Sequence, residues 1–113
     1  MANRTKIMLI GCIDGIDFNI QEYEDMAQFA LEHGYSPVIP TKLFPVKTTV
    51  QEYNWVRIVG SELLKCDEIV TLHDWEQAPV NTKLIQMANM AAIPVTHFTR
   101  FLQRESTHKQ ENL

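Results

Sequence analysis

Short apolar runs of strand length, three or four of them, alternate along this chain with stretches whose apolar residues recur at helical spacing. That alternation is the strongest constraint on the fold. Parallel strands need a crossover of about a dozen residues or more, and a helix is the usual one. The first run, KIMLI from Lys6 to Ile10, is continuously apolar and stops at Gly11, as a strand buried on both faces does. NIQEYEDMAQFALEHG then sets Tyr23, Met26, Ala27, Ala30 and Leu31 on one helical stripe, with Asp17 or Asn19 as its cap and Gly34 as its end.

YSPVIP reads as a short strand whose prolines suit an edge. After the loop TKLFPVKT, a second helix is expected with Thr48 or Thr49 as cap and Tyr53, Val56, Gly60, Leu63 and Leu64 on one face. DEIVTL is the next strand. Asn81 or Thr82 is the expected cap of a third helix, whose buried stripe is Leu84, Met87, Ala88 and Ala91. IPVTHF closes the pattern. A βαβαβαβ order of this kind implies a single α/β domain: a three-layer sandwich with a mostly parallel sheet of four or five strands, Rossmann- or flavodoxin-like. The domain is expected to span residues 1–99. Residues 100–113 read as a polar C-terminal tail, a short helix that frays.

Composition excludes several function classes. A chain of 113 residues can build one core, and its net charge of −4 offers no general attraction to nucleic acid or anionic membrane. Its basic residues are scattered, and no apolar run approaches the roughly 20 residues of a membrane span. A cytoplasmic protein with no cofactor is expected. Cys12 and Cys66 are far apart and make no C-x-x-C pair, so neither a zinc site nor a redox motif is signalled, and both thiols are expected reduced.

In open parallel sheets ligands sit outside the carboxyl ends of the strands, near the point where strand order reverses. The rule nominates the loop GCIDGIDF after the first strand and HDWEQAP after the third. In the first loop, Gly11, Cys12, Asp14 and Gly15 match neither a dinucleotide fingerprint nor a P-loop. They serve either a plain turn or an anion- or sugar-binding backbone. In the second, Asp74 and Glu76 are the candidate catalytic acids if burial separates them, and solvated loop acids otherwise. Trp75 either stacks on a ligand ring or covers a helix end, and His73 either orients a carboxylate or is structural. Cys12 beside His73, with Asp74 behind it, would form a nucleophilic triad.

A glycine-bearing first loop, the helix ending in HGYSPVIP, and KCDEIVTLHDWEQAP followed by AAIPV resemble the nucleoside 2-deoxyribosyltransferase-like superfamily. The resemblance runs from Lys6 to Val95 and is nearest to a small branch of phage and bacterial proteins. Enzymes of that superfamily cleave the N-glycosidic bond of deoxynucleosides through a glutamate that opens the third helix. Matching Trp75, Glu76 and Ala88 to the family pattern puts Leu84 at that glutamate's position, Val80 at a glycine's and Ala78 at that of a small polar residue. Gly11-Cys12-Ile13 stands where the family reads Ser-Gly-Pro. The resemblance therefore implies the family fold without the family nucleophile.

Three functions follow as expectations. The first is a non-catalytic protein that binds a nucleoside- or nucleotide-type metabolite through Gly11, Cys12, Asp14, Gly15, His73, Asp74, Trp75 and Glu76. The second is a protein-interaction module, of the kind a phage would encode to act on a host protein, with Tyr35, Phe44, Tyr53, Trp55 and Phe101 as candidate exposed anchors. The third is an active N-glycoside hydrolase or transferase using Glu76 or Asp74. The resemblance also implies a homo-oligomer.

Overall fold

The run after Arg4 forms strand β1 (Thr5–Ile10) in the computed structural model, which describes residues 4–12, 20–43 and 52–111. Its apolar side chains alternate between two cores, which is why the run is continuous rather than half polar. Ile7 and Leu9 join Tyr23, Met26, Ala30, Val70, Leu72 and Phe101 on one face of the sheet. Met8 and Ile10 join Trp55, Val59, Leu63, Ile69, Val80, Leu84 and Ala88 on the other.

The remaining elements follow in the expected alternation. Helix α1 (Ile20–Glu32) leads to β2 (Tyr35–Val38), and α2 (Glu52–Leu63) leads to β3 (Glu68–Thr71). Helix α3 (Pro79–Met90) leads to β4 (Val95–His97), and α4 (Phe98–Glu111) follows without a break. Among the described residues the sheet has four strands, all parallel, in the order β2-β1-β3-β4. Helices α1 and α4 cover one face and α2 and α3 the other, a three-layer Rossmann- or flavodoxin-like sandwich. Order reverses at β1, which lies between β2 and β3, so the switch point falls between β1 and β3. No helix among the described residues is long and apolar enough to cross a membrane.

Several details depart from the periodic reading. The buried face of α2 is centred on Trp55, Val59 and Leu63, while Leu64 is exposed; the Tyr53 side chain lies outside the described residues. Leu31 at the end of α1 and Ala91 past the end of α3 are also exposed. Gly34 ends α1 in the left-handed region at φ 86°, which an L side chain rarely adopts. Neither Asn81 nor Thr82 caps α3. The helix starts at Pro79 behind Ala78, and the Thr82 hydroxyl instead donates to the Pro79 carbonyl. The residues proposed as caps of α1 and α2 (Asp17, Asn19, Thr48 and Thr49) lie outside the described residues.

The segment from Arg100 lies within α4, not beyond the domain. Phe101 is fully buried under the sheet, with Phe98 and Leu102 packed beside it. Arg104 spans from α4 to the first residue of β3. It donates Nη1 to Glu68 Oε2 at 2.9 Å and Nη2 to Glu68 Oε1 at 3.0 Å, and Thr96 Oγ1 of β4 donates to the same carboxylate at 2.6 Å. Burial raises the pKa of Glu68, but the hydrogen bonds from Arg104 and Thr96 and the guanidinium charge outweigh it and hold the carboxyl below its usual range. Lys6 of β1 pairs in the same way with Glu62 of α2. Trp55 and Phe101 are therefore core, and Tyr35 is half-buried, so these three do not serve as exposed anchors. Phe44 lies outside the described residues.

Candidate functional site

The ladder between β1 and β3 decides which loops meet. Ile10 pairs with Thr71, and the Leu72 N–H donates to the Ile10 carbonyl at 2.7 Å, so both chains leave the sheet side by side. Gly11 sits in this seam. A Cβ there would lie 3.0 Å from Leu72 Cβ and 3.1 Å from Tyr23 Oη, so a side chain would require these neighbours to give by a few tenths of an ångström. Tyr23 of α1 donates its hydroxyl to the Cys12 carbonyl at 2.8 Å. Burial pushes its phenol pKa well above the ordinary value and keeps it a donor.

Asn81 of α3 ties the two loops together. Its Nδ2 donates to the Gly11 carbonyl at 2.8 Å and to the Trp75 carbonyl at 2.9 Å, and the residue is buried. One amide thus satisfies a carbonyl in each loop, in a place where a missing donor is costly. Sequence reasoning assigned Asn81 to a helix cap and missed this role. The signal was its spacing, since residues 81, 84 and 88 share the buried stripe of α3 and Asn81 is its polar member. Tyr23 was legible as core but not as the residue that fixes the first loop.

The Asn81→Ala variant is expected to lose about 2–4 kcal/mol, because one buried and one partly buried carbonyl lose a donor at once. Its denaturant midpoint should fall with the slope unchanged. A midpoint equal to the parent's would mean the seam does not depend on this amide.

The loop after β3 presents its polar groups outward. Asp74 adopts the left-handed conformation at φ 56° and ψ 28°, which an aspartate tolerates better than most residues. His73 Nε2 lies 3.2 Å from Asp74 Oδ2, with the imidazole largely exposed and the carboxylate partly so. Glu76 is exposed in the short 3-10 turn Trp75–Gln77, so burial does not set it apart from Asp74 as a buried acid pair would require. Trp75 is half-buried and packs on the α2/α3 core, leaving part of its indole facing out.

The cysteine triad is not formed. Cys12 is buried, and its thiol approaches main-chain carbonyls, that of Asp74 at 3.2 Å and that of His73 at 3.9 Å, while the imidazole of His73 turns to Asp74. A thiol with little exposure finds its acceptor in the adjacent backbone, so Cys12 joins the loops rather than attacking a substrate. Cys66 is buried too, and burial pushes its thiol up to about 11.

Leu84, which stands at the family nucleophile's position, is fully buried, and Val80 and Ala88 are buried beside it. That helix face belongs to the α2/α3 core. The structure thus brings together Gly11, Cys12, His73, Asp74, Trp75 and, next in the same 3-10 turn, Glu76. Asp14 and Gly15, like Ile13, lie outside the described residues. Among the described residues no group of three His, Cys, Asp or Glu side chains is placed to hold a metal ion. Comparisons with protein-family models, with curated proteins and with solved structures gave no match to this chain.

Proposed function

We propose that the protein binds a nucleoside- or nucleotide-type metabolite at the carboxyl ends of β1 and β3 and does not transfer its sugar. The observation that carries this reading is the anchoring of both switch-point loops by the single buried amide of Asn81. A binding site built this way is preorganised, so ordering the loops does not have to be drawn from the ligand's binding energy. The His73–Asp74 pair offers a hydrogen-bonding edge and Trp75 a partly open aromatic face, as a sugar hydroxyl and a base would require. Against turnover stands Leu84, an apolar core residue at the position where the resemblance asks for a carboxylate.

Thermal unfolding against nucleosides, deoxynucleotides, cyclic nucleotides and ADP-ribose derivatives tests the reading. A ligand at 100 times its dissociation constant adds about 2.7 kcal/mol. For a domain of this size that raises the melting temperature by roughly 10 °C. The shift should vanish in Asp74→Asn, which keeps the left-handed turn but loses the charge, and no free base should be released during incubation. A flat response across the panel from well-folded protein would remove the binding reading and favour a protein-interaction module. Base release that disappears in Glu76→Gln would instead establish glycosidic chemistry.

A further inference from the structure

A separate concavity lies at the opposite, amino ends of the strands, between the start of β2 and helix α4. It has a volume of about 420 Å³ and is lined by Thr5, His33, Gly34, Tyr35, Arg104 and Glu105. Volumes of a few hundred Å³ are typical of small-ligand sites.

The polar groups in its wall are unequally satisfied. The Glu105 side chain is only 10% exposed. Its Oε2 accepts from Tyr35 Oη at 2.8 Å and from Arg104 Nε at 2.9 Å, whereas Oε1 accepts no hydrogen bond from the described residues. That second oxygen is not sealed from solvent, so a molecule in the cavity can reach it and donate to it. His33 offers a matching acceptor. Its Nδ1 lies 2.8 Å from the Phe29 carbonyl, which can only accept, so in the neutral ring the proton sits on Nδ1 and Nε2 carries the lone pair. Stacking on the Phe29 ring, with centroids 4.1 Å apart, fixes the plane of that imidazole, and Nε2 has no partner among the described residues.

Most of the charged donors around the wall are already committed. Arg104 directs its Nη1 and Nη2 at Glu68, its Nε at Glu105, and Nη2 also at Tyr35 Oη. Arg4, exposed nearby, spends its guanidinium on the carbonyls of Leu31 and Tyr35, where solvent screens its charge. Beside Gly34 the space is open, with no heavy atom within 4 Å of where a Cβ would stand. An anion would meet the Glu105 carboxylate and a guanidinium with four of its five N–H groups engaged. A cation bearing N–H groups would meet two acceptors that lack donors.

We propose that this cavity binds a small N–H-bearing cation, an alkylammonium or a guanidinium, which donates to Glu105 Oε1 and His33 Nε2. The site lies at the other end of the sheet from the loops after β1 and β3, so it stands or falls separately from the nucleoside reading.

The test is a titration of the full chain, followed by backbone amide resonances, with millimolar guanidinium and with 1,4-diaminobutane. Tetramethylammonium serves as the cation without N–H. Saturable shifts centred on Thr5, Gly34 and Tyr35 are expected with an N–H cation and absent with tetramethylammonium. In Glu105→Gln the amide oxygen keeps accepting from Tyr35 and Arg104 while an NH2 replaces the open acceptor, and affinity should fall roughly tenfold or more. If that variant does not fold, His33→Phe, which keeps the ring stack and removes Nε2, should weaken binding as well. Equal binding of tetramethylammonium, no saturable shift with either probe, or undiminished affinity in the folded variant would each overturn the proposal.

Discussion

Replacing Leu84 by Glu, the residue that the family resemblance asks for at this position, is expected to unfold the protein at neutral pH rather than arm it. Leu84 is fully buried in a cluster with Met8, Ile10, Val59, Leu63 and Ile69, in which the indole of Trp55 and the weak thiol of Cys66 are the side chains able to donate. A carboxyl forced into such surroundings has its pKa raised by about 3–5 units, each worth about 1.36 kcal/mol. At pH 7 the folded chain then holds the carboxyl mostly neutral, which costs about 3–4 kcal/mol relative to the unfolded chain, before the lost packing of the leucine is counted. Domains of this size hold only about 5–15 kcal/mol in all. The sign with pH follows from a folded pKa above the unfolded one for an acid. The deficit is absent below about 4.3, the unfolded value, and grows as pH rises toward the raised folded value. Melting curves at pH 7 and pH 5, read against the parent, should therefore show the variant recovering on acidification. A variant that melts within about 3 °C of the parent at pH 7 would mean that position 84 faces solvent or a ligand. The nucleophile's place on α3 would then be open after all.

The reach of sequence reasoning here can be traced residue by residue. The runs KIMLI and DEIVTL announced β1 and β3 because both of their faces are apolar, and a continuous apolar run has few other homes. The adjacency of the two loops was legible from connectivity, since the reversal of strand order fixes where the first and third strands end. Which groups in those loops meet was not. Cys12 turns to backbone carbonyls and His73 to its neighbour Asp74, choices set by local hydrogen bonding that no spacing encodes. Two polar residues on buried stripes were the larger source of error. Asn81 takes a slot beside Leu84 and Ala88, and Glu105 takes one in the series Phe98, Phe101, Leu102, Glu105 on α4. A rule that looks for apolar periodicity stops at each of them. That is why α3 was given the wrong cap and α4 was read as a tail.

A chain ended after Thr99 is expected to lose its cooperative fold. It would lack Phe101, whose fully buried ring packs on the sheet face beside Ile7, Leu9, Val70 and Leu72. Removing a buried phenylalanine beyond Cβ costs about 3–5 kcal/mol. It would also lack Arg104, leaving Glu68, whose side chain is 9% exposed, with only Thr96 as a donor. Stripping one partner from a buried pair costs about 3–5 kcal/mol, and Arg104 is 43% exposed, so solvent screening reduces that to about 1–3 kcal/mol. The two losses together come to roughly 4–8 kcal/mol, comparable with the whole stability of such a domain. The truncated chain should show a broad, non-cooperative melt and bind a hydrophobic dye. Full-length Phe101→Ala should still unfold cooperatively at a lower temperature. Arg104→Ala separates the electrostatic part. In the parent, Glu68 has a lowered pKa, so its contribution is present above about 4.3 and is lost as pH falls through the lowered folded value. Without Arg104 the burial of Glu68 is no longer offset, and the carboxyl becomes easier to protonate. The gap between variant and parent should be widest near pH 7, narrow toward pH 4 and close only as pH falls below the parent's lowered folded value. A truncated chain that melts cooperatively at the parent's temperature would make α4 an appendage, and the Glu68–Arg104 pair a surface contact of little weight.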